Sequence, residues 1–235
     1  WSEETNVSSA RKAVGSAGTQ TAGAIFGGFP ATTATEEYDG SSWTAGGALN
    51  TSRGYGGGAG TQTAALFFGG YTGSTSSATE EYDGSSWTSS PNSLSTARRQ
   101  LATSGGGTQT AGLCVGGLAT ATTGETEEYD GSSWSSGGTK NVVAYGHGLC
   151  GTQTDAYAYA GNPVPGSGTS TENYDGTSWT TNAALTTARY NVGPASQAPT
   201  STAIVFGGGP PAKNVTEEFT PESTSTNSVD ITTAE

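Results

Sequence analysis

The sequence predicts an all-β fold, a five-bladed β-propeller of four-stranded antiparallel blades, and three observations carry that expectation. First, a hexapeptide recurs: Tyr38-Asp39-Gly40-Ser41-Ser42-Trp43 returns in close copy at Tyr82 to Trp87, Tyr129 to Trp134 and Tyr174 to Trp179. With Trp1, these account for all five Trp, at positions 1, 43, 87, 134 and 179, and a repeat of that length belongs to propellers, solenoids and arrays. Second, the runs Ala24-Ile25-Phe26, Leu66-Phe67-Phe68, Leu113-Cys114-Val115 and Ile204-Val205-Phe206 place apolar residues at consecutive positions, so both faces of those strands need cover. A blade held between two other blades has that cover. Third, no segment keeps a helical period, which argues against helical repeats.

Each period reads as four short strands. In the second, Arg53 to Ala59 is a Gly-rich segment, Gly60 to Thr63 a turn, and Ala64 to Phe68 an apolar strand stopped by Gly69-Gly70. After a polar loop, Thr79 to Tyr82 is a third strand, Asp83-Gly84 a hairpin turn, and Ser86-Trp87-Thr88 the returning strand. The apolar strand occurs five times, the fourth at Ala156 to Tyr159, so blades are expected over 11–44, 53–88, 98–135, 140–180 and 189–220. The last repeat has Glu217-Glu218-Phe219, but Thr224 stands where its Trp should fall, and Trp1 is unmatched. The expected closure therefore has residues 1–5 supplying the outer strand of the last blade, which removes an exposed edge. The alternative leaves Trp1 as the remnant of a neighbouring blade. Residues 1–220 form one domain in this reading, and 221–235 a Ser/Thr-rich tail.

Composition limits the core and the partners. With 38 Gly and 31% apolar residues, the core must come from aromatic residues, Ala, Val and close backbone packing. A formal net charge of −12 opposes nucleic acid and anionic membranes as general partners. No apolar run approaches the roughly 18 to 20 residues that insert in a bilayer. Cys114 and Cys150 are expected at opposite ends of their hairpins, hence as free, buried thiols.

The order of Arg53, Gly69-Gly70, Glu80, Tyr82-Asp83 and Trp87 resembles the kelch repeat, and the resemblance runs through nearly the whole chain. It implies four-stranded blades around a central channel, with Tyr on the third strand and Trp on the outer side. The fourth repeat departs with Ala160-Gly161, and the last with Phe219-Thr220-Pro221.

Among the repeated residues, the Asp-Gly turns read as hairpins rather than as calcium ligands, and no metal or cofactor is expected. Tyr38, Tyr82, Tyr129 and Tyr174, with Trp43, Trp87, Trp134 and Trp179 and the terminal pair Trp1 and Phe219, recur too regularly for a single ligand site and are expected to pack blade on blade. Glu36, Glu80, Glu127, Glu172 and Glu217 recur once per period, as do Arg11, Arg53, Arg98, Lys140 and Arg189, which use five of the eight Lys and Arg. Either they form ion pairs that hold adjacent strands, or the cations ring one mouth of the channel and, with Tyr55 and Tyr190, capture an anionic sugar. They are the candidate ligand-binding residues.

No enzyme signature appears. His147 is the only histidine, no nucleophile elbow or phosphate loop is present, and adjacent Glu residues on a strand face opposite ways. The fourth repeat alone breaks the symmetry, with Tyr145, His147, Asp155, Tyr157 and Tyr159. Near-identical repeats rich in Gly, Ser and Thr, without Met, resemble repeat proteins of environmental, especially marine, bacteriophages. That resemblance implies a non-enzymatic virion-surface, tail-fibre or appendage protein that recognises a host glycan, with self-association or other virion proteins as further partners. A secreted or cell-surface bacterial lectin and a self-assembling extracellular filament subunit are the alternatives.

Overall fold

A computed structural model describes residues 4–102, 107–163, 166–194, 203–209, 211 and 216–219. Trp1, the outer strand expected from residues 1–5 apart from Glu4 and Thr5, and the tail 221–235 lie outside them. The described residues form strands and no helix, and the fold is a β-propeller with four-stranded antiparallel blades. The first sheet is β1 (Gly15–Thr19), β2 (Ala22–Phe26), β3 (Thr35–Tyr38) and β4 (Trp43–Ala45). The second is β5 (Gly57–Thr61), β6 (Ala64–Phe68), β7 (Thr79–Tyr82) and β8 (Trp87–Ser89). In the third, β9 (Leu113–Val115), β10 (Thr126–Tyr129) and β11 (Trp134–Ser136) are described. The fourth is β12 (Gly148–Thr152), β13 (Asp155–Tyr159), β14 (Thr171–Tyr174) and β15 (Trp179–Thr181), and the fifth has β16 (Gly193–Pro194), β17 (Ile204–Phe206) and β18 (Thr216–Glu218). In every sheet, neighbours in sequence are neighbours in space, so each is a meander of hairpins.

The hexapeptide makes the last hairpin of each blade. Asp39 Oδ1 accepts from the Ser41 and Ser42 amides at 2.8 and 2.7 Å, Gly40 takes φ 95°, and Tyr38 then faces Trp43 across the pair. The arrangement repeats at Asp83, Asp130 and Asp175. Because the turn residues satisfy their own backbone donors, the loop is short and its register fixed.

The apolar second strand is covered on both sides, as its pattern requires. Ala65 and Phe67 pack with Phe26 and Trp87 between the first and second sheets, whereas Leu66 and Phe68 pack with Cys114 and Tyr129 between the second and third. Ala156 and Ala158 likewise face the third sheet, and Tyr157 and Tyr159 the fifth. Trp87 and Trp134 close such cores edge-on, at 4.8 Å from Phe26 and 5.0 Å from Phe68. A buried aromatic side chain of this kind is worth about 2 to 3 kcal/mol, so these layers substitute for the missing aliphatic ones. Glycine in the first strand makes room for them: a Cβ at Gly57 would stand 2.3 Å from the Phe68 ring.

Candidate functional site

The once-per-period cations are inside the blades. Arg53, Arg98 and Arg189 are fully buried, and Lys140 nearly so. Arg11 meets Glu36 at 2.6 Å, Arg98 meets Glu127 at 2.5 Å and Lys140 meets Glu172 at 2.6 Å, and Arg53 pairs with Glu80 and Arg189 with Glu217. The second oxygen of each carboxylate accepts a backbone amide at 2.7 to 2.8 Å, Glu36 from Ser8, Glu80 from Asn50, Glu127 from Ser95, Glu172 from Asn141 and Glu217 from Thr186. Each Glu thus ties the incoming chain to the middle of its blade. Burial alone would raise the Glu36 carboxyl, but the Ser8 amide and Arg11 outweigh it and hold it below its ordinary range. This placement corrects the expectation of a cation ring at the channel mouth: the charges are spent on glutamates within the wall.

Lys140 also departs from the expected register. Gly28, Gly70 and Gly161 donate to the carbonyls of Arg53, Arg98 and Arg189, but Gly117 donates to Ala144, so Ala144 holds the Arg position in the fourth sheet. Lys140 reaches the same glutamate from four residues upstream. His147, three residues past Ala144, sits over Gly116, and neither ring nitrogen has a hydrogen-bond partner among the described residues. Burial, reinforced by the charge of Lys140, lowers its pKa to about 3 and keeps the imidazole neutral. Tyr157 stacks on Phe219 at 4.3 Å, so this part of the fourth sheet's asymmetry is packing. Cys114 and Cys150 are free and buried, their thiols raised by burial to about 12 and about 11.

Two contacts that sequence reasoning did not find join successive blades. In the first three sheets the second Glu of the pair accepts from the Tyr hydroxyl of the next sheet: Tyr82 to Glu37 at 2.5 Å, Tyr174 to Glu128 at 2.6 Å, and Tyr129 to Glu81. In the Gly-Thr-Gln-Thr turns of the second to fourth sheets, Gln62, Gln109 and Gln153 each reach back to two carbonyls of the preceding sheet, Gln62 to Gly23 and Tyr38 at 3.1 and 2.8 Å. The signal was present, since both residues recur with the period.

The inner rim carries the strain. Ala13, Tyr55, Gln100 and Asn191 all have positive φ, 51 to 62°, and Gly146 holds the corresponding place in the fourth sheet at 59°. Their peptides form a chain from sheet to sheet, Tyr55 N–H to Ala13 O, Gln100 to Tyr55, Gly146 to Gln100 and Asn191 to Gly146, at 2.7 to 2.9 Å. Non-glycine residues held in this region cost of order 1 to 3 kcal/mol each and concentrate at functional sites. The segments leading into all five sheets line one cavity of about 480 Å³, with Val14, Tyr55, Leu101, His147 and Val192 in its wall.

At the mouth of that cavity is a second, of about 280 Å³, lined by Phe29, Tyr55, Tyr71, Arg99 and Gln100. Tyr55 and Gln100 belong to both. The Arg99 guanidinium lies 4.4 Å from the centre of the Tyr71 ring, the Lys12 ammonium 5.7 Å from that of Phe29, and the Phe29 and Tyr55 rings are 5.8 Å apart. Neither Lys12 nor Arg99 has a carboxylate partner among the described residues. Lys12, Gly54, Arg99, Tyr145 and Tyr190 occupy equivalent bridge positions, which explains how the sequence delivers them to one rim. The structure brings Tyr55 into the site but not Tyr190, which lines neither cavity. Lys12 and Arg99 escaped notice because each follows a repeated Arg and reads as its duplicate.

Chemically, the mouth offers flat apolar rings beside the positive charges of a half-buried Arg99 and an exposed Lys12, a surface for a polar, flat-faced ligand with an anionic group. Among the described residues no three His, Cys, Asp or Glu gather to hold a metal ion. No family model matches the chain, and no curated protein matches it. Among solved structures, one titled "Structure of YjhT" is similar over 87% of this chain and 75% of its own, with a TM-score of 0.69 and 15% identity. At that identity the likeness concerns the fold, and it supports the propeller.

Proposed function

We propose that the protein is a non-enzymatic binding module that recognises a surface glycan at the mouth of its central cavity. Phe29, Tyr55 and Tyr71 serve as stacking rings, and Lys12 and Arg99 meet an acidic group on the sugar. One observation carries this reading: of the described Lys and Arg, these two alone lack a carboxylate, and both rest on aromatic rings of one rim. In a chain of net charge −12, two cations without a carboxylate partner on one rim are a local exception with a chemical use. The setting proposed is a virion surface, tail fibre or other extracellular appendage that meets a host glycan, in keeping with the compositional resemblance.

The same reading takes the ring as five-bladed and kelch-like. Trp1 precedes Ser8 by the interval at which Trp43 precedes Asn50, Trp134 precedes Asn141 and Trp179 precedes Thr186. Ser8, Asn50, Asn141 and Thr186 all bond the repeated glutamate, and the Thr5 hydroxyl donates to Ser41 O at 2.8 Å.

A glycan array probed with soluble protein tests the function. Wild type is expected to bind acidic glycans, with the signal lost in Tyr55→Ala and in Arg99→Ala while both variants melt as wild type does. Binding that survives both substitutions, or a wild type that binds no glycan, overturns the reading.

A further inference from the structure

The three junctions between the first four sheets use the same three donors and acceptors. The later sheet gives a Trp indole, a Tyr hydroxyl and a Gln amide, and the earlier sheet gives a Thr hydroxyl, a Glu carboxylate and two backbone carbonyls. Between the first and second sheets these are Trp87 to Thr35 at 2.9 Å, Tyr82 to Glu37, and Gln62 to Gly23 and Tyr38. Trp134 to Thr79, Tyr129 to Glu81 and Gln109 to Ala65 and Tyr82 follow, then Trp179 to Thr126, Tyr174 to Glu128 and Gln153 to Gly112 and Tyr129.

Two edges are left over. The first sheet has the donors Trp43, Tyr38 and Gln20, none of them with a hydrogen-bond acceptor for its side chain among the described residues. Tyr38 and Trp43 are only half-buried, whereas Tyr82, Tyr129 and Tyr174 are 1% exposed. The fifth sheet has the acceptors: Thr216 and Glu218, both exposed, with the carbonyls of Ala203 and Phe219. Its Thr216-Glu217-Glu218-Phe219 keeps the register of Thr35-Glu36-Glu37-Tyr38. The fourth sheet shows that the acceptor is kept only where a Tyr follows. There Asn173 replaces the second Glu, and the aromatic residue that follows in the fifth sheet is Phe219, which has no hydroxyl. Glu218 is present although its own strand has no use for it.

We propose that the acceptor edge of the fifth sheet is the docking surface for the donor edge of the first sheet of the same chain, with Trp43 Nε1 on Thr216, Tyr38 Oη on Glu218, and Gln20 on Ala203 and Phe219. The inference rests on the five-blade count and deepens it. The occupant is this chain and not a second copy because Ala13 and Val14 line the same cavity as Asn191 and Val192, which places the inner segments of the first and fifth sheets in one ring.

Double-mutant cycles on the full chain test it. The Tyr82→Phe and Glu37→Gln pair is the positive control for a formed junction, and Arg189→Met with Glu217→Gln reports whether the fifth sheet is a folded blade. Tyr38→Phe and Glu218→Gln are each expected to lower the melting midpoint by several degrees, with the double variant no worse than either single, at all protein concentrations and in a monomer by light scattering. Additive or absent effects at Tyr38 and Glu218, with a coupled Arg189 and Glu217, overturn the docking and leave the fifth blade standing. An uncoupled Arg189 and Glu217 overturns the blade count itself. Coupling that appears only with oligomers, and a midpoint that rises with concentration, overturns docking within one chain.

Discussion

The cations of the blade wall and those of the cavity mouth differ by one residue in sequence and entirely in occupation. Arg98 is buried against Glu127, and Arg99, beside it, lies on the Tyr71 ring with no carboxylate partner among the described residues. On an extended segment, successive side chains point to opposite faces, so the neighbour of an inward Arg is delivered outward. A fully buried guanidinium without its carboxylate would be prohibitive, whereas the half-buried Arg99 keeps part of its hydration and stays available. Position on the strand therefore separates structure from binding more sharply than residue type does.

The contrast is broken most severely at the wall. Arg53→Ala leaves the Glu80 carboxylate buried and unpaired, and should cost about 3 to 5 kcal/mol, read as a large fall in the denaturant midpoint. His147 tests the wall by pH. Its folded pKa, about 3, lies below the unfolded value, so its neutral form favours folding above about pH 6.5 and the advantage drains as pH falls toward 3. At pH 5 the penalty is about 2 kcal/mol, at about 1.4 kcal/mol per pH unit below the unfolded pKa. His147→Leu, which copies the Leu101 of the third sheet, should remove that acid sensitivity in a comparison of melts at pH 7 and pH 5. Tyr82→Phe removes the hydroxyl bond to Glu37 and should cost about 1.5 to 3 kcal/mol, the range for a hydrogen bond to a charged group. At the mouth, Arg99→Ala should change stability by no more than about 0.5 kcal/mol, yet reduce binding to an acidic glycan surface at least tenfold. A destabilised Arg99→Ala would erase the distinction between the two sites.

Much of the fold was legible because the repeat prints each contact several times. The four-stranded blade, the Asp-Gly turn, the two-sided apolar strand and the packing role of Tyr and Trp follow from period and alternation. The registers of Lys140 and Ala144 were not legible, because the insertion between them leaves the charge while moving the backbone. Nor was the mouth. Phe29, Tyr71 and Arg99 lie far apart in the chain and differ from blade to blade, and only the closing of sheets around a common cavity brings them together. A repeated residue announces what every blade needs, and a ligand site made once has no such echo.

The Asp-Gly turns carry a consequence for how the protein ages. Such dipeptides ordinarily decay when the glycine nitrogen attacks a protonated aspartyl carboxyl to give a cyclic imide and then an isoaspartyl linkage. Here the Ser42 amide, the Ser41 hydroxyl and the Ser41 amide hold the Asp39 carboxyl near about 2, and the same device lowers Asp83 and Asp130 to about 2. The reactive acid is scarce at neutral pH and its oxygens are turned toward the amides beyond the glycine. Peptide mapping after weeks at 37 °C should find isoaspartate at these turns only after unfolding, so the most repeated string in the chain is also chemically durable.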